Sequence, residues 1–112
     1  MKNENTVAVE DANANSNAQV MVRTYSAGVH FGTLSRREST LAGMEVTLVD
    51  ARRVWSWAGA ASLSQLSQEG TTEPNLCKIP CPVKSVDLVA IEIIEMTQEA
   101  VDSLVRIPVW EA

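Results

Sequence analysis

Val20-Met21-Val22-Arg23-Thr24-Tyr25-Ser26-Ala27-Gly28-Val29-His30-Phe31-Gly32-Thr33-Leu34 is the stretch on which the fold turns. Val20, Val22 and Thr24 alternate with Met21, Arg23 and Tyr25, the period of a strand with two distinct faces. Ala27-Gly28 supplies a tight turn, and Val29 to Leu34 resumes the extended pattern, so the stretch predicts a hairpin. Gly32 inside the second strand points to a bulge or to the close approach of another backbone.

Downstream, Ser35 to Gly43 reads as a polar connection containing Arg36, Arg37 and Glu38. Met44, Val46 and Leu48 alternate with Glu45, Thr47 and Val49, predicting a third strand that Asp50 and Ala51 interrupt. Arg53, Trp55 and Trp57 follow at spacing two and would share one face of an extended segment. Ser62-Leu63-Ser64-Gln65 has the form of a capping box and Gly70 is a stop signal, so a short helix is expected over Ala61 to Glu69. Pro74, Pro80 and Pro82 exclude a central strand from Thr71 to Pro82, because proline has no backbone donor. Val83 to Met96 is the most β-prone run of the chain. Thr97 can cap a helix over Gln98 to Val105, and Ile107-Pro108-Val109-Trp110 is expected to be extended.

These elements make the fold class α+β and strand-dominated: a small bent antiparallel sheet or partly open SH3-like barrel with two short helices. The domain, residues 20–112, is preceded by a polar arm over residues 1–19, where asparagine and alanine are frequent and no apolar stripe forms. At 112 residues the chain supports one domain and can bury a core without disulfides. No run of 18 apolar residues is present and no apolar stretch follows the first charges, so neither a membrane helix nor a secretory leader is expected.

The net charge of −5 disfavours nucleic acid and anionic membrane surfaces as general partners. The charge is uneven. Arg23, Arg36, Arg37, Arg52 and Arg53 outnumber Glu38, Glu45 and Asp50 between residues 20 and 57, while residues 58–112 set Lys78, Lys84 and Arg106 against eight acids. The first half can therefore present a basic face on an acidic protein.

Catalytic templates find no match. The chain has one histidine, His30, and lacks a G-x-S-x-G elbow and a glycine-rich phosphate loop. Glu92 and Glu95, three apart on a strand, point to opposite faces and do not form a facing acid–base pair. Cys77, Cys81 and His30 are too few for a structural zinc site, and no metal or other cofactor is expected. What stands out is Ala51-Arg52-Arg53-Val54-Trp55-Ser56-Trp57, which holds two of the three tryptophans. Arginine and tryptophan anchor interfaces by stacking, cation–π contact and large buried area, and the same pair can stack a purine while holding a phosphate. Packing of both tryptophans beneath the adjacent helix is the competing reading. The candidate binding residues are Arg52, Arg53, Trp55 and Trp57, joined by Arg23, Tyr25 and His30 if the sheet curls.

Val22-Arg23-Thr24-Tyr25-Ser26-Ala27-Gly28-Val29-His30-Phe31-Gly32, Val46-Thr47-Leu48, Ala51-Arg52-Arg53-Val54-Trp55, Trp57-Ala58-Gly59-Ala60, Ser62-Leu63-Ser64-Gln65-Leu66, Gly70 and Ile91-Glu92-Ile93-Ile94 together resemble a widespread family of short, uncharacterised bacteriophage proteins. The resemblance runs from about residue 20 to the end. It implies a phage origin and a small non-enzymatic role, and it carries over no catalytic residue. The expected function is binding, foremost as a virion-associated accessory protein of the capsid-decoration type, working on phage structural proteins as a homo-oligomer. The alternative is a counter-defence or host-takeover protein that binds a nucleotide signal or a host defence protein. The corresponding locations are the virion or the host-cell cytoplasm.

Overall fold

The computed structural model describes residues 17–111. Four strands run in sequence: β1 (Gln19–Thr24), β2 (Val29–Thr40), β3 (Gly43–Val54) and β4 (Val83–Glu95). A helix α1 (Leu63–Glu69) and a single 3-10 turn at Pro74–Leu76 lie between β3 and β4, and helix α2 (Gln98–Val105) follows β4. Each strand pairs antiparallel with the next, and β4 returns to β1, so the sheet closes into a four-stranded barrel. The fold is therefore strand-dominated α+β, with the ring closed between its first and last strands. Most of the expected arm lies outside the described residues. Its last residue, Gln19, already belongs to β1, and the Ala18 carbonyl accepts from the Leu34 amide at 2.8 Å.

Strand alternation builds two cores. Val20, Val22, Leu34, Val46, Leu48, Ala51 and Leu88 fill the barrel interior. Met21, Phe31 and Val54 point outward, where α1, α2 and the intervening loop cover them with Leu66, Cys77, Ile79, Leu104 and Ile107. Both helices form where expected, α2 with the expected limits. Ser62 caps α1 by accepting from the Gln65 amide, and Gly70 ends it with φ +79°. Thr97 caps α2 by accepting from the Ala100 amide at 3.1 Å. Each helix then buries one leucine completely, Leu66 and Leu104. Truncating such a side chain to alanine costs about 2–5 kcal/mol, more than either cap contributes.

Two readings are corrected. Ser35–Thr40 is strand, and only Leu41 and Ala42 turn the chain into β3. Polar bonds hold this extension: Arg36 donates to Thr47 Oγ1 on β3 at 3.0 Å, pairs with Glu45 of β3 at 3.6 Å, and pairs with Glu38 on its own strand at 2.8 Å. Asp50 does not end β3. It takes φ +51°, a left-handed conformation that aspartate tolerates, and the strand continues to Val54 through a bulge opposite Gly32. A Cβ at Gly32 would sit 3.0 Å from both the Ala51 Cα and the Val49 carbonyl, so this position needs glycine for the close approach its sequence implied.

A candidate binding cleft at the barrel end

The bulge at Asp50 changes which side chains of the Arg-Trp segment reach the surface. Before it, Val46 and Leu48 point inward; after it Ala51 does, and Arg52 and Val54 turn towards the outer core. Arg52 is 6% exposed. Its guanidinium donates to the carbonyls of Ile79 at 2.7 Å, Pro80 at 2.9 Å, Ile107 at 3.1 Å and Leu104 at 3.3 Å. Leu104 and Ile107 lie at the C-terminal end of α2, where the helix dipole favours a cation. Burial pushes the Arg52 pKa down and the neighbouring Cys81 opposes that shift, yet a guanidinium stays charged at any ordinary pH. Arg52 thus ties β3 to α2 and the Ile79–Pro80 loop instead of facing a partner.

Trp57 is likewise drawn in. The extended segment breaks after Val54, and Ser56 makes only an isolated bridge with Lys78. Trp57 packs against the outer core and donates its Nε1–H to the Ala60 carbonyl at 3.2 Å. Trp55 stays outside, 63% exposed. The expected shared face of Arg53, Trp55 and Trp57 is therefore split.

Arg53 and Trp55 line an open cleft of about 270 Å³ together with Val54 and the turn Ser26-Ala27-Gly28. Tyr25, 91% exposed, immediately precedes that turn. The hairpin turn and the end of β3 meet because Val29 pairs with Val54 and His30 with Arg53. The sequence offered no direct sign that Ser26, Ala27 and Gly28 would form the opposite wall, since their proximity to Trp55 comes from the register of β2 against β3.

His30 and Thr24 brace this wall from inside. His30 is 2% exposed, and its Nε2 lies 2.9 Å from the Ala27 carbonyl. A carbonyl can only accept, so Nε2 carries the proton. Burial pushes the His30 pKa below its ordinary 6.5; the bond to Ala27 opposes this and the charge of Arg53 adds to it. Thr24 Oγ1 accepts from the Ala27 amide and donates to the Gly28 carbonyl, both at 2.8 Å. Gly28 takes φ +85°, which closes the turn. Arg23 lies apart from the cleft, on the outer face of β1, and pairs with Glu92 at 2.9 Å. Of the seven candidate residues, Arg53 and Trp55 line the cleft, Tyr25 flanks it, His30 supports it, and Arg23, Arg52 and Trp57 are engaged elsewhere.

The cleft offers one cation, an exposed indole face and a hydrogen-bonded turn, the equipment of a binding surface. Among the described residues no group of three or more His, Cys, Asp or Glu side chains stands close enough to hold a metal ion. Both cysteines are free thiols, with Cys77 buried. Among the described residues no helix is long and apolar enough to cross a membrane.

A family profile described as a domain of unknown function, DUF6948, matches residues 17–104, which include all four strands and most of α2. The chain belongs to the DUF6948 family. Comparison with curated proteins and with solved structures gives no match. The DUF6948 match takes in the whole cleft, from Ser26 to Trp55, and the capped helix α1.

Proposed function

We propose that this protein is a non-enzymatic bacteriophage protein that binds a partner protein through Tyr25, Arg53 and Trp55, as an accessory on the virion. The observation that carries the reading is an open cleft lined by Arg53 and Trp55, with an exposed Tyr25 immediately before the turn that forms its other wall. Tyrosine, arginine and tryptophan dominate the energetics of protein interfaces because they combine large apolar area with a polar end. The alternative ligand, a nucleotide, is less well served. The cleft volume of about 270 Å³ falls just below the roughly 300–1,000 Å³ of small-molecule pockets. Shallow clefts of this size suit an inserted side chain of a partner. The phage setting rests on the resemblance of the Arg23–His30 and Ala51–Trp55 motifs.

Mass spectrometry of purified virions of the encoding phage tests the setting. The chain is expected there in many copies per particle. Its absence from particles, with presence in infected-cell lysate, would overturn the accessory role and favour counter-defence. Calorimetric titration with a panel of nucleotides tests the ligand: no heat is expected, and saturable binding lost on Trp55→Ala would replace the protein partner by a nucleotide.

A further inference from the structure

β4 outruns β1. Its first half, Val83–Val89, pairs with β3 alone, because β1 joins β4 only between Ala90 and Glu95. Among the described residues, the other edge of Val83–Val89 has no strand beside it. The edge of Ser35–Thr40 in β2 is open in the same way, beyond the last backbone bonds from Asn17 and Ala18 to Leu34.

The two edges differ in what they would offer a second strand. On β2, Arg36, Arg37 and Glu38 are consecutive, so a twofold axis through any of them sets identical charges face to face. This is the usual protection of an exposed edge. On β4, Lys84 and Asp87 cancel, and Val83, Ser85, Asp87 and Val89 share one face by the period of the strand. Val83 and Val89 are 49% and 43% exposed.

We infer that Val83–Val89 is an interface with a second copy of this chain, paired antiparallel about a twofold axis through Val86. In this register Val83 faces Val89 of the second copy and Ser85 faces its Asp87. Each pair occurs twice, because a twofold interface uses one patch on both subunits. The valine pairs remove exposed apolar surface from water. The Ser85 hydroxyl donates to the Asp87 carboxylate, which has lone pairs left after accepting from Thr47. The neighbouring registers are worse. Sliding one way sets Val83 against Asp87, and sliding the other sets Asp87 against itself. A slip by a single residue would place side chains on opposite faces. This interface is independent of the Tyr25–Arg53–Trp55 cleft, so either can fail without the other.

Sedimentation of the full chain over a concentration series tests it. The chain should dimerise, and V83K/V89K should raise the dimer dissociation constant about tenfold or more, because lysines then face each other twice. V83K/V89E should recover the dimer, since lysine now faces glutamate across the axis. Both substitutions fall on exposed side chains, and thermal melts of all three proteins should coincide when measured below their dimer dissociation constants, where association adds nothing to stability. In a Cys81→Ser background, Val86→Cys should crosslink to its own copy under mild oxidation, and Ser39→Cys on the β2 edge should not. A chain that sediments as a monomer throughout would overturn the interface. So would a dimer indifferent to V83K/V89K, a V83K/V89E protein no tighter than V83K/V89K, or a crosslink favouring Ser39→Cys.

Discussion

Arg52 donates to four carbonyls inside the fold, whereas Arg53, one residue on, lines the open cleft. Opposite effects of substitution follow. Arg52→Leu leaves the carbonyls of Ile79, Pro80, Leu104 and Ile107 without their donor, and should lower unfolding stability by about 3 kcal/mol or more in denaturant titration. Arg53→Ala should leave stability within about 0.5 kcal/mol, as expected for an exposed side chain. His30 gives a pH dependence whose sign follows from its burial. Its folded pKa lies below the ordinary 6.5, so above that value both folded and unfolded chains hold it neutral. As pH falls below 6.5, the unfolded chain takes up a proton that the folded chain refuses, and stability declines until the folded pKa is reached. His30→Gln should remove that part of the slope, measured as unfolding free energy from neutral pH downward. The pairing of Arg53 and Trp55 at one surface was readable from their spacing. The burial of Arg52 was not, because nothing in a period-two reading marks the phase change introduced by a left-handed Asp50.

At the scale of elements, the helices were legible because their ends are written in local chemistry: Ser62 and Thr97 as caps, Gly70 as a stop. The β2–β3 hairpin was not. Arg36, Arg37, Glu38 and Ser39 carry no apolar alternation, and their strand is held by polar bonds to Thr47 and Glu45 that only the pairing reveals. Gly32 shows the converse, a sequence sign with a definite structural cause. Gly32→Ala would press a methyl group against the Ala51 and Val49 backbone, which cannot give way as a flexible side chain would. The substitution should cost about 1–3 kcal/mol in denaturant titration. It should also disturb the Asp50 bulge, so amide resonances of Val49 to Arg53 are expected to shift most.

For the molecule as a whole, closure of β1 against β4 creates an inside and an outside, and the two helices cover only part of the outside. At the barrel end formed by the hairpin turn and the end of β3, Arg53 and Trp55 line an open cleft and Tyr25 stands exposed just before the turn. Sequence spacing placed the tryptophans along the chain, but which one stays outside depends on the outer core, against which Trp57 packs together with Ala60 and with Leu63 of α1. The most direct measurement of the proposed role is quantitative mass spectrometry of virions assembled with the R53A/W55A protein, its melting curve matched to the unsubstituted chain. Loading should fall about tenfold or more, the usual consequence of removing two central anchors. Unchanged loading by a folded R53A/W55A protein would contradict the assignment of this cleft as the docking surface.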